Sequence, residues 1–268
     1  MLTRVEAVSR RGNLLNLTLD DLDSGLLVDE IDGLGPVKAT ITSSDFAQLD
    51  GSQFQSSRRE NRNIIITISL EPDWSIETVE DLRRRVYDHF MPKSDVELKL
   101  YFDNRNTLSI KGMVESAEPE IFSAEPKIVV SIICFDPDFV DYELQLVEGF
   151  TSESITATEV YYDGTVEAGF NFGLFVDRNL TDFSIYMNES QMDFSGILQA
   201  GDLLNIRTIP GDKFVRLTRT GNESSYLYGI SPQSKWLTLE PGNNQFRVYA
   251  VGASIPYTMG YINRYGGV

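Results

Sequence analysis

The sequence predicts a mainly β protein of two units, the first a β-barrel or sandwich carrying one α-helix and the second a β-sandwich. Three observations carry that prediction. Residues 128–134 form a β-branched apolar run that reads as a strand buried on both faces. The Asp136-Pro137-Asp138 behind it cannot prolong a strand, because proline lacks a donor and restricts its predecessor. Only one stretch, near residues 75–90, repeats apolar residues at helical spacing, and beyond residue 148 short apolar bursts alternate with turn residues at sandwich spacing. The corner at Pro137 therefore closes one domain, and we place the domains at residues 1–147 and 148–268.

Along the first domain, Leu14, Leu15, Leu17 and Leu19, then Leu26, Leu27, Val28 and Ile31, form short strand-like bursts. Gly33-Leu34-Gly35-Pro36 is a turn, residues 37–42 read as a further short strand, and Asp50-Gly51 is a second turn. The polar segment 52–62 holds Arg58, Arg59 and Arg62 and reads as a loop or arm, after which residues 63–70 form an emphatic buried strand. In the helical stretch Ser75 is the expected cap, Ile76, Val79, Leu82, Val86 and Phe90 the buried stripe, and Pro92 the stop. Arg83, Arg84 and Arg85 lie on this helix, where they either pair with Glu80, Asp81 and Asp88 on a solvated face or meet an acidic neighbour. Residues 96–102 and 107–114 form a hairpin about Asp103-Asn104-Arg105-Asn106, and Ile121-Phe122 sits between Glu118-Pro119 and Glu125-Pro126.

In the second domain we expect strands at 154–158, 170–176, 183–187, 203–208, 214–218, 226–229, 236–239 and 245–250, with the aromatic, glycine-rich last residues as an extended tail.

Composition narrows the function. The chain has 268 residues, a net charge of −17 and 11% aromatic residues, which suits folded domains and argues against general nucleic-acid binding. Both halves share the acidic surplus. The single cysteine, Cys134, excludes an internal disulfide and reads as a small core residue, while the single histidine, His89, argues against a histidine-based metal site. No apolar stretch approaches the ~20 residues of a membrane span and no signal-peptide core is visible, so a soluble protein made in a cytoplasm is expected, with no membrane partner. There is no Ser/His/Asp set, HExxH, CxxC, P-loop or GxGxxG motif, and hence no expected enzyme activity, metal or cofactor.

The order of these features is more specific than any one of them. An arginine-rich segment after Asp50-Gly51, a strand, a helix with a basic face, a hairpin of the form LKLYF…LSIKGMV, Glu118-Pro119-Glu120-Ile121-Phe122, and a strand ending Cys134-Phe135-Asp136-Pro137-Asp138-Phe139 resemble the ring-forming domain of the distal tail proteins of long-tailed phages. The stretches 162–169, 201–206 and 234–244 resemble the galectin-like β-sandwich that ends those proteins. The resemblance implies a structural hub at the virion tail tip. It would be a hexameric ring of this chain joining the tail tube protein to the tail-associated or baseplate hub protein, with receptor-binding proteins as further partners and DNA only passing through the lumen. Arg58, Arg59, Arg62, Arg83, Arg84 and Arg85 are then candidates for inter-subunit contacts. The rival reading is a carbohydrate-binding adhesin, but a galectin-type sugar site would want a histidine and an Asn-Arg pair near the tryptophan. Asn263-Arg264 lies in the tail and His89 on the helix, so Trp236 is expected in the core.

Overall fold

Seven strands of the first unit close on themselves, which removes the exposed edges that an open sheet of such apolar strands would carry. The computed structural model describes residues 1–19, 24–46, 50–121 and 123–268, so Phe122 lies outside the described residues. Two compact units emerge, one of residues 1–142 with 265–268 and one of residues 143–264.

The first unit runs through β1 (Leu2–Ser9), β2 (Leu14–Thr18), β3 (Leu26–Asp32), β4 (Ala39–Asp45), β5 (Ser52–Arg59), β6 (Arg62–Leu70), α1 (Val79–Phe90), β7 (Asp95–Phe102), β8 (Arg105–Pro119) and β9 (Lys127–Cys134). Strands β8-β7-β1-β2-β3-β6-β9 neighbour one another in that order, and β8 also pairs with β9, which closes the barrel. The closure depends on the length of β8. It pairs with β7 up to Met113 and with β9 from Met113 onwards, with a register shift between Val114 and Ser116. Gly112 permits this crossing, since a Cβ there would stand 2.5 Å from Ile132 Cγ2. The barrel core is Val5, Leu17, Ile64, Ile66, Ile68, Leu98, Leu108, Ile128, Val130 and Ile132 with their neighbours, so the β-branched runs are buried as their composition requires.

Helix α1 packs against β1, β2, β6 and β8 through Leu82, Val86, His89 and Phe90. Its start differs from the sequence reading. Thr78, not Ser75, is the cap: its hydroxyl accepts from the Asp81 backbone N–H while the Asp81 carboxylate accepts from the Thr78 N–H. Ser75 instead bonds Asp73, and Ile76 is 82% exposed, outside the stripe. The reciprocal box satisfies two orphan donors where Ser75 could satisfy one, and so the helix begins three residues later.

Strand β10 (Phe139–Phe150) carries the chain into the second unit, which continues through β11 (Thr158–Tyr162), β12 (Phe170–Phe175), β13 (Phe183–Met187), β14 (Ser190–Phe194), β15 (Leu203–Arg207), β16 (Phe214–Arg219), β17 (Asn222–Ser225), β18 (Gly242–Ala250) and β19 (Pro256–Tyr265). One sheet holds β17-β16-β15-β12-β19-β10 and the other β11-β18-β13-β14. Their inner faces meet in an aromatic core, with Phe172 and Phe246 edge to face at 6.4 Å and Phe246 and Tyr257 at 5.5 Å.

Four expectations here are corrected. Residues 154–157 are not a strand, since β11 begins only at Thr158. Residues 227–229 form a 3-10 turn, and residues 236–239 run extended with a single bridge from Leu239 to Ala168. The final aromatic stretch is strand β19 rather than a tail, with Tyr257, Met259 and Tyr261 buried against the sandwich core. Trp236 is partly buried against that core, as expected of it.

Candidate assembly surface

The corner after β9 receives a single buried guanidinium. Arg62 opens β6 opposite Cys134 and is 1% exposed. Its Nε donates to the Pro137 carbonyl at 2.6 Å, Nη1 to the carbonyls of Gly33 and of Gly35 (2.6 Å to the latter), and Nη2 to the Gly266 carbonyl at 2.7 Å. The guanidinium carbon lies 4.4 Å from the Phe139 ring centre. Burial lowers the pKa of Arg62, but a guanidinium starts so high that it stays charged, and carbonyl dipoles surround it. Gly33 has no room for a side chain: φ is +85° and a Cβ would overlap the Asn63 carbonyl. Beside this cradle, Cys134 is fully buried, and burial pushes its thiol pKa up to about 11, which fits a packing role and not a nucleophile.

The cradle anchors an arm. Strands β4 and β5 pair only with each other, in register from Ala39↔Arg59 to Asp45↔Ser52, and every residue of both is exposed. The segment read from the sequence as a polar loop or arm is therefore one half of a hairpin. At its base Arg59 grips the carboxylate of Asp138 with both terminal nitrogens, Nη2 to Oδ2 at 2.9 Å, and Asp138 is almost fully buried. The Glu60 N–H donates to the Lys38 carbonyl at 2.9 Å, which continues the ladder to the root. The arm carries two apolar side chains in the open, Ile41 at 67% and Phe54 at 63% exposure.

The six arginines named from sequence thus fall into three situations. Arg58 is exposed on the arm, opposite Thr40. Arg59 is half-exposed at its root. Arg62 is withdrawn from any outward surface, because four carbonyls in the first unit hold it, and this corrects its place among contact candidates. Arg83, Arg84 and Arg85 lie on α1, a different element: Arg85 pairs with Glu77 at 3.0 Å, Arg84 is exposed and Arg83 half-buried. Sequence reasoning missed Asp138, Ile41 and Phe54. The signal for the last two was an isolated large apolar residue in each of two otherwise polar stretches.

An arm with no neighbouring strand among the described residues can dock on another chain through its free strand edges and its apolar side chains. Residues 163–265 match the family model described as siphovirus-type tail component, C-terminal domain. The fold of the chain is similar to that of the SPP1 Dit (gp 19.1) protein, described as a paradigm of hub adsorption apparatus in Gram-positive-infecting phages. The TM-score is 0.69 at 16% identity, covering 97% of this chain and 98% of that one. The activated, calcium-bound baseplate of phage P2 contains a chain matched at TM-score 0.48 and 11% identity over the full length of both. Among curated protein sequences none matches.

Proposed function

We propose that this chain is a structural hub component of a phage tail tip, assembling through its first unit into a hexameric ring. The ring joins the tail tube protein to a tail-associated or baseplate hub protein and serves receptor-binding proteins as a platform. DNA passes through its lumen, and the subunits are made in the host cytoplasm. The observation that carries this reading is the hairpin of Ala39–Asp45 and Ser52–Arg59, exposed along its whole length yet rooted by Arg59, Asp138 and Arg62. An arm held firmly at its base and exposed along both its strands suits a heterologous contact that repeats round a closed ring. The match of residues 163–265 to a siphovirus-type tail component supports a structural role over an enzymatic one.

The test is the mass of the purified chain by light scattering and native mass spectrometry at two salt concentrations, alone and with the tube protein. A hexamer, or a trimer–hexamer mixture that loosens as salt rises, is expected if Arg58 and Arg84 meet acidic surfaces. A strict monomer at high concentration, still monomeric with the tube protein, sinks the reading.

A further inference from the structure

The outward face of the larger sheet in the second unit holds an open groove of about 360 Å3. Residues of four consecutive strands border it in two rows set by the register: Thr258, Gly173, Asn205 and Arg216 in one, and Gly260, Asn171 and Phe214 in the other. The two glycines make the hollow. A Cβ on Gly173 would stand 3.2 Å from Thr258 Oγ1, and one on Gly260 would stand 3.3 Å from Leu146 Cδ2. One wall is apolar, formed by Leu144 and Leu146, both more than half exposed on β10. The far side carries Phe214, with the Arg216 guanidinium 4.3 Å from its ring centre.

Charge decides what such a groove accepts. Arg216 is neutralised by Glu223 at 2.8 Å, and Arg207 by Asp212 at 3.2 Å. The remaining polar groups are two amides and a hydroxyl, each of which both donates and accepts. A strongly anionic ligand would meet no uncompensated cation and a net charge of −17. A polyhydroxylated neutral ligand fits better, with hydroxyls on Asn171, Asn205 and Thr258 and its C–H faces on Leu144, Leu146 and Phe214. We infer that this groove is a binding site for a neutral oligosaccharide. The inference stands apart from the hub reading, and it places the sugar away from Trp236, whose ring packs against the core.

The test uses the full chain on an array of neutral and acidic oligosaccharides of two to six units, with calorimetric titration of each hit. Neutral oligosaccharides are expected to bind, and Asn205→Ala and Asn171→Ala, both with unchanged melting curves, should each weaken binding about tenfold. Trp236→Phe should leave the affinity unchanged. Failure of every neutral member to bind at millimolar concentration, binding of acidic members only, or binding that survives both asparagine substitutions overturns the inference.

Discussion

The Nε of Arg62 donates to the carbonyl of Pro137 at 2.6 Å, so the residue that opens one core strand is locked to the corner that ends another. Removing that guanidinium takes a donor from the carbonyls of Gly33, Gly35, Pro137 and Gly266 at once and empties a buried position. Arg62→Leu should therefore destabilise the first unit by about 3 kcal/mol or more, measured by urea denaturation. Arg62→Lys should recover little, because one ammonium cannot span the four acceptors in their fixed fork. A loss below about 1 kcal/mol in Arg62→Leu would mean that the cradle is not structural.

The observed helix start separates two residues of the expected stripe. Leu82 is fully buried and Ile76 is 82% exposed. Leu82→Ala should cost ~2–5 kcal/mol, whereas Ile76→Ala should stay within about 0.5 kcal/mol. Thr78→Ala should cost about 1 kcal/mol through the lost capping box, and Ser75→Ala less. Equal effects of the two cap substitutions would contradict the observed helix start.

On the arm, folding and assembly should come apart. Ile41→Ser and Phe54→Ser touch no core residue and should shift the unfolding midpoint by no more than about 0.5 kcal/mol. If the apolar tip docks on a neighbour, the same pair should raise the concentration at which oligomers dissociate at least tenfold, read by mass photometry. Oligomers unaffected by both substitutions would remove the arm from the interface.

Acid should weaken the second unit in a predictable way. Asp202 is buried and takes two hydrogen bonds from Arg219, at 2.8 and 2.6 Å, and one from the Gln199 N–H at 2.7 Å. The Arg219 side chain, more than the backbone bond, holds the carboxyl below its ordinary value of 3.8. A depressed folded pKa gives stability that is fully present above the unfolded value and lost as the pH falls through the folded one. Wild-type melting temperature should therefore drop as the pH goes below 3.8, and Asp202→Asn should be less stable at pH 7 with a flatter acid limb. A parallel acid limb in the variant would assign the loss to other carboxylates.

Polyanion passage sets the last expectation. If the proposed ring forms, the wall facing its lumen should carry more acidic than basic side chains, since lysines and arginines there would hold phosphates. An electron-microscopy map with an arginine-lined bore would contradict it.

The sequence made the barrel legible where burial on both faces forces composition. Residues 63–70 and 128–134 admit few alternatives to core strands, and the 96–114 hairpin announces itself by alternation and turn. It was silent where the same residue types serve two structures. Tyr257, Met259 and Tyr261 alternate inward in β19, but glycines and aromatics around them look equally like a loose end. Strand β17 is four polar residues bounded by turns, so neither period nor propensity marks it, and β14 is five residues with only Met192 and Phe194 turned inward. The arm was half legible: its polarity showed that it lies outside the core, but only pairing with the equally exposed β4 makes it a hairpin. Arg62 could not be told from Arg58, because no local pattern shows which cation will find a ring of carbonyls brought together from four places in three separate stretches of the chain.

Gly266 is one of those four places, and it reaches the Arg62 cradle only after the chain has been through the entire second unit. On a ribosome the first barrel therefore emerges with its corner one acceptor short, and it stays so while some 120 residues of sandwich are still being made, at roughly 5–20 residues per second. The arm's root is completed last. A subunit released early, or one whose sandwich fails to fold and bring Gly266 back, would carry a loosened anchor, so the order of synthesis acts as a check on which subunits are fit to join an assembly.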